Sequence, residues 1–235
     1  MHPGLRVVTI PALEAVPGLV HGFERRLGPP GWETREAGRS RVAAALRTRG
    51  RLQLLRQVHG IELRRAPWEG TPEGDAALAE APGLILGVET ADCVPVLIVD
   101  PRRRAVAAAH AGWRGAAQGV AGVAARALLA GGSDPAELIA ALGPAAGPCC
   151  YEVGEDVRAA FGAAGEPFLR PRPGGRPHLD VPGASRAQLE SAGLRAERIH
   201  QVDDCTICRP DLYHSYRRER PSAGRMISFV GFEAA

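Results

Sequence analysis

Leu84-Ile-Leu-Gly-Val-Glu-Thr-Ala-Asp-Cys-Val-Pro-Val-Leu-Ile-Val-Asp100, then Pro101-Arg-Arg-Arg104, then Ala105-Val-Ala-Ala-Ala-His-Ala111: this stretch decides the fold. Residues 84–88, 94–99 and 105–109 are three apolar runs of strand length. Continuous rather than alternating hydrophobicity belongs to strands covered on both faces, so the runs predict one well-buried sheet with Ala91-Asp92-Cys93 and His110 at its strand ends. Arg102, Arg103 and Arg104 read as a solvated turn between two of them. Downstream, Gly112-Trp-Arg-Gly115 leads into residues 116–130, an alanine-rich helix in which only Gln118 and Arg126 are polar. Further out, residues 5–10, 138–142, 198–202 and 226–230 read as strands, and residues 41–46, 154–161 and 185–191 as helices. Gln57-Val-His-Gly60, between the apolar runs 52–55 and 61–63, predicts a histidine held at a bend. The alternation lacks the steady crossover rhythm of a doubly wound fold, and no linker divides the chain. The expectation is therefore one mixed α+β domain spanning 1–235.

Composition narrows the function. The chain has 235 residues, 45% of them hydrophobic; its 29 glycines and 20 prolines follow no repeat period, which excludes collagen-like and disordered classes. All 29 basic groups are arginine, so no mechanism that needs a Schiff-base or P-loop lysine applies. Asparagine is absent and methionine occurs only at Met1 and Met226, as expected of a heat-adapted source. A net charge of +3 with scattered arginines argues against a nucleic-acid partner. No apolar run approaches bilayer length, and residues 1–23 lack the basic and apolar blocks of a secretory signal. Five cysteines, an odd number with Cys149 and Cys150 adjacent, make a poor disulfide framework. A cytoplasmic protein with no membrane association is expected, as a monomer or small homo-oligomer.

Three groups stand where strands should end in tight glycine, alanine or proline settings: His59, Cys93 and His110. Two imidazoles and a thiolate suit zinc and leave a fourth position open for water or substrate. Spacing alone favours a small buried thiol and hydrogen-bonded core histidines, and is also compatible with a Cys93 nucleophile served by His110 as base. Arg114, placed just ahead of a helix, is the first candidate for holding phosphate, and Arg56 the second. Asp92 is the candidate proton carrier, with Asp75 and Asp180 weaker ones. Cys149, after the Gly143–Pro148 loop, is a candidate substrate contact. Cys205-Thr-Ile-Cys208 has no second Cys-x-x-Cys to complete a zinc ribbon and reads as loop packing, and Tyr216-Arg-Arg218 as an anion contact or a solvated face.

Arg56-Gln-Val-His-Gly60, Thr90-Ala-Asp-Cys-Val-Pro-Val-Leu97, Ala109-His-Ala-Gly-Trp-Arg-Gly115, the 143–153 segment Gly-Pro-Ala-Ala-Gly-Pro-Cys-Cys-Tyr-Glu-Val, His178-Leu-Asp180, Cys205-Thr206, Ser215-Tyr-Arg-Arg218 and Gly224-Arg-Met226 together resemble the YfiH family. Its members carry the labels laccase-domain protein, multicopper polyphenol oxidase and peptidoglycan editing factor. The resemblance spans roughly residues 20–231. It implies a layered α/β/β/α sandwich akin to the cytotoxic necrotizing factor deamidases, and one zinc site at His59, Cys93 and His110, with copper as the alternative metal. It further implies phosphorolysis of adenosine, inosine, guanosine and methylthioadenosine, with adenosine deamination at the same site; purine nucleosides and phosphate would be its ligands. The family's Asp-Ala-Leu aspartate corresponds to Asp75 in Gly74-Asp-Ala-Ala-Leu78. Two other chemistries compete: amide hydrolysis in cell-wall precursors by Cys93 and His110, and copper oxidation of polyphenols. The last is disfavoured, because the seven histidines never fall closer than 14 residues apart whereas a multicopper cluster draws on His-x-His pairs.

Overall fold

In the computed structural model, which describes residues 5–234, the decisive stretch is divided between two sheets. The strands of the described residues are β1 (Val7–Val8), β2 (Leu19–Glu24), β3 (Arg51–Gln53), β4 (Leu63–Arg65), β5 (Ala76–Ala79), β6 (Leu84–Thr90), β7 (Val94–Asp100), β8 (Ala105–Ala111), β9 (Ile139–Leu142), β10 (Leu169–Arg170), β11 (His178–Leu179), β12 (Ile199–Gln201) and β13 (Met226–Phe232). The α-helices are α1 (Pro11–Glu14), α2 (Arg35–Leu46), α3 (Trp113–Gln118), α4 (Val120–Ala130), α5 (Glu155–Phe161), α6 (Val181–Ser191) and α7 (Tyr216–Glu219). One sheet has the order β1-β2-β13-β6-β3 and the second β12-β9-β7-β8-β5-β4, while β10 and β11 pair apart from both. Both are antiparallel at their centres, with parallel pairs at β3–β6, β12–β9 and β4–β5.

The pleat explains the layering. Successive side chains of a strand point to opposite faces, so β7 sends Leu97 and Val99 toward the other sheet, where they meet Phe23, Leu86, Val88 and Val230. Its alternate residues Val94, Val96 and Ile98 turn the other way, onto Val120, Ala121, Ala124 and Leu128 of α4 and Leu189 of α6. Ala105, Ala107, Ala109 and Ala111 of β8 share that outer face, where small side chains meet the alanine face of α4. Outside the five-stranded sheet, Val42 and Leu46 of α2 cover Ile85, Ile227 and Phe229. The result is the α/β/β/α sandwich, with α2 on one side and α4 and α6 on the other.

Three expectations from sequence are corrected here. The three apolar runs are not one sheet: β7 and β8 pair with each other, whereas β6 lies in the facing sheet between β13 and β3. Either arrangement buries both faces of all three runs, so hydrophobicity could not separate them. The 116–130 helix is instead two helices, because Gly119 adopts a left-handed φ of 90° between α3 and α4. Helices α2 and α6 also begin earlier than periodicity suggested: Thr34 Oγ1 accepts the Ala37 N–H, and Asp180 Oδ1 accepts that of Gly183. Asp180 is thus a helix cap.

Candidate metal site and cleft

His110 lies near the end of β8 on the inter-sheet face, in register with Pro95 of β7. Cys93 precedes Pro95 by two residues, on the same side of the pleat, so the neighbouring strands deliver the two groups side by side. His59 arrives from the loop between β3 and β4, in a left-handed conformation with φ of 63°. That conformation is costly outside glycine, and Asp75 holds it. The Asp75 carboxylate accepts the N–H groups of Val58, His59 and Gly60 at 3.1, 3.0 and 2.8 Å. The same carboxylate lies 2.8 Å from His110 Nδ1, and the Asp75 carbonyl accepts the His110 N–H at 2.8 Å. One buried aspartate therefore fixes the bend and turns the Nε2 edge of His110 toward the other two groups.

The ligand atoms of His59, Cys93 and His110 lie within 4.8 Å of one another. The two rings meet edge to face with centroids 4.9 Å apart. Burial pushes the Cys93 thiol up, but His110 and His59 outweigh it and bring it down to about 6. Burial likewise disfavours charge on His110, yet Cys93 and Asp75 raise it to about 9. At neutral pH the thiolate form is thus favoured, which is the form that ligates metal. The backbone leaves room for these groups only because residue 112 is glycine: a Cβ there would sit 2.6 Å from the His59 ring and 3.1 Å from Cys93 Sγ. The donor set, its mutual distances and the fixed His110 orientation fit a divalent cation with one open position.

The three groups line one cleft of about 700 Å³. Its walls include Trp113, Tyr151 and Tyr216, and the guanidinium side chains of Arg35, Arg114, Arg217, Arg220 and Arg225. Arg114 lies 4.2 Å above the Trp113 ring and Arg217 4.9 Å above that of Tyr151. Tyr151 is pushed up to about 12, by burial first and by the Cys93 charge second, so its hydroxyl remains a donor. Gln57 clamps the His59 loop to β6 through both the carbonyl and the N–H of Glu89, at 2.7 and 2.8 Å.

The other residues singled out from sequence are dispersed. Arg114 reaches the cleft, but as the second residue of α3 rather than ahead of it. Asp92 also lines the cleft; its two oxygens accept from Thr206 Oγ1 and the Arg217 N–H, each at 2.6 Å. Arg56 is exposed, ion-paired with Glu73 and outside the cleft lining. Cys149 is also outside that lining; it lies beside Cys150, Cys205 and Cys208. This corrects the reading of Cys205 and Cys208 as loop packing, since the topology brings the other two cysteines to them. Sequence reasoning missed Arg35, Glu89, Tyr151 and Arg225. Glu89 left a signal as a carboxylate inside an apolar run, and Tyr151 and Arg225 stood within the motif segments without being singled out; Arg35 left none.

A layered α/β/β/α sandwich that carries a His–Cys–His ligand set in a cleft defines the class of protein. The chain belongs to the family described as multi-copper polyphenol oxidoreductase laccase, whose model matches residues 33–233. It is 39% identical over 198 residues to the purine nucleoside phosphorylase of Deinococcus radiodurans, covering 82% of this chain and 75% of that one. To the purine nucleoside phosphorylase YfiH of Escherichia coli it is 36% identical over 201 residues, covering 83% and 79%. The hypothetical protein YfiH of Bacillus licheniformis superposes with a TM-score of 0.86 at 25% identity over 98% of this chain and 97% of that one. YlmD from Geobacillus stearothermophilus gives 0.84 at 30% identity over 93% of each. Among the described residues two groups of metal-ligating side chains converge, and neither has more than two histidines. No helix is long and apolar enough to cross a membrane.

Proposed function

We propose that the chain is a purine nucleoside phosphorylase that uses a single zinc ion and also deaminates adenosine in the same cleft. The observation that carries this reading is the meeting, in one cleft, of a cation-holding triad with aromatic rings and guanidinium groups. The names of the Deinococcus and Escherichia relatives point the same way. Adenosine, inosine, guanosine and methylthioadenosine are the proposed substrates. Zinc held by His59, Cys93 and His110 would supply a Lewis acid beside the reacting groups, a donor set that suits zinc better than a multicopper cluster.

The protein's own groups do the rest. Tyr216, exposed on the cleft wall, offers an aromatic surface for a purine, and the guanidinium groups over Trp113 and Tyr151 offer charge for an oxyanion. Arg114, free of a carboxylate partner among the ion pairs of the described residues, binds phosphate for attack on ribose C1′. The C1′–N9 bond breaks as the C1′–O bond forms, and the departing base takes up a proton. Asp92 is the proposed proton carrier; its bonds to Thr206 and Arg217 fix where it stands. Arg56 and Cys149 retain at most a secondary part, since neither lines the cleft. Arg114→Ala is expected to raise the phosphate KM at least tenfold with a smaller change in the nucleoside KM, in steady-state kinetics. An unchanged phosphate KM removes Arg114 from this role.

A second reading draws on one specific arrangement, a Cys93 thiol beside a His110 oriented by Asp75, as in cysteine hydrolases acting on amides. Cys93→Ala separates the two: phosphorolysis through the ligand set loses the cation of the His–Cys–His site and activity together, whereas a pure nucleophile's removal leaves that cation bound.

A further inference from the structure

Outside the cleft, four cysteines distant in the chain meet at one point. Cys149 and Cys150 follow the 143–148 loop, and Cys205 and Cys208 follow β12. The two segments are joined by a bridge from Ala145 to Cys205 and by the Thr206 N–H, which donates to the Ala145 carbonyl at 3.0 Å. All four sulfurs lie within 4.8 Å of one another, with Cys208 Sγ 3.1 Å from Cys150 Sγ and 3.6 Å from Cys149 Sγ. Metal–sulfur bonds of about 2.3 Å in a tetrahedral centre set sulfurs about 3.8 Å apart; the two separations from Cys208 fall short of that value by less than 1 Å, and no pair exceeds 4.8 Å. The Cys205 sulfur accepts the N–H of Gly147 at 3.3 Å, and the backbone N–H groups of Cys208 and Ile207 add to the pull of Gly147 that lowers its thiol. N–H groups directed at a sulfur stabilise a thiolate.

We propose that Cys149, Cys150, Cys205 and Cys208 bind one zinc ion as a tetrathiolate centre, separate from the His–Cys–His site. Binding replaces the thiol protons, which pass to solvent, and leaves a centre of charge −2. That charge is offset by the N–H donors and by Arg172, whose guanidinium donates to the Pro148 and Cys149 carbonyls at 3.2 and 3.4 Å. A pair of disulfides would need an oxidant and would waste the donors on Cys205. The centre is structural: all four positions are filled by protein, so no site remains for substrate. Its place in the fold gives it a consequence for the cleft. Thr206, within the Cys205–Cys208 turn, donates to Asp92, and Arg218 of α7 donates to the Thr206 and Ile207 carbonyls at 2.7 and 2.9 Å. The ion therefore fastens the segment that holds Asp92 and the start of α7.

The test counts zinc. Full-length protein purified under reducing conditions, saturated with zinc and desalted, is expected to retain two equivalents by elemental mass spectrometry, and the Cys93→Ala variant one. Cobalt(II) added to Cys93→Ala is expected to give the intense visible absorption of a four-sulfur site. Cys205→Ser is expected to retain one equivalent and to unfold at lower temperature. Because Cys205→Ser can fail to fold, the Cys93→Ala arm keeps the cluster intact and decides through its cobalt spectrum, which a site left with only His59 and His110 cannot give. Retention of no zinc by a folded Cys93→Ala variant overturns the proposal, as does a disulfide-linked cluster in the reduced preparation.

Discussion

Asp75 shows how much one side chain settles. It satisfies three N–H groups of the His59 bend and orients His110, yet it is itself buried and touches no position open to a ligand. Such groups commonly set metal affinity within a factor of about 10–100. Asp75→Asn, which keeps the shape but loses acceptor capacity, is expected to weaken zinc at the His–Cys–His site by about that factor, measured by competition with a chromogenic chelator. Unchanged affinity would show that the bend and the ring hold themselves. At this scale the sequence was partly legible. His59, Cys93 and His110 drew notice because each lies at a strand end among small residues. Asp75 looked minor because its role depends on N–H groups of a loop that only the fold brings near. The same reason hid the four-cysteine cluster: its halves lie more than fifty residues apart, at |i−j| of 58 and 59.

Between elements, two buried carboxylates tie α2 to the five-stranded sheet: Glu24 of β2, paired with Arg41, and Glu89 of β6. Glu89 of β6 is buried and binds both Arg35, at 2.6 and 2.9 Å, and Arg39. Burial pushes its carboxyl up, but Arg39 and Arg35 more than reverse this and hold it below the ordinary value of 4.5. A depressed folded-state value means that the stabilisation is present above pH 4.5 and lost as pH falls through the folded value. Glu89→Gln is therefore expected to cost about 1–2 kcal/mol at pH 7, Arg35 being half exposed and so partly screened. Equilibrium urea unfolding should show the gap between the two proteins closing below pH 4.5; a gap independent of pH would mean that the ion pairs contribute nothing. Element identity was legible where apolar runs were long, as in β7 and β8. It failed where the decisive contact is remote: β6 could be told from β7 and β8 only by its partner β13, some 140 residues later. Gly119 was visible in sequence, but a glycine inside an alanine-rich pattern breaks a helix only if φ turns positive there.

For the molecule as a whole, the sandwich serves to bring chain-distant segments to one cleft. The turn entering β7 presents Cys93 and β8 presents His110, the β3–β4 loop presents His59, and α3 and α7 supply Trp113, Arg114 and Arg217. The layered architecture was foreseen only through the resemblance; composition and periodicity reached no further than mixed α+β. The most direct test of the account is chromatography of adenosine incubated with the zinc-loaded protein, with and without phosphate, beside Cys93→Ala. The account predicts adenine and ribose 1-phosphate only when phosphate is present, inosine in its absence, and neither from Cys93→Ala. Adenosine recovered unchanged under every condition would contradict it.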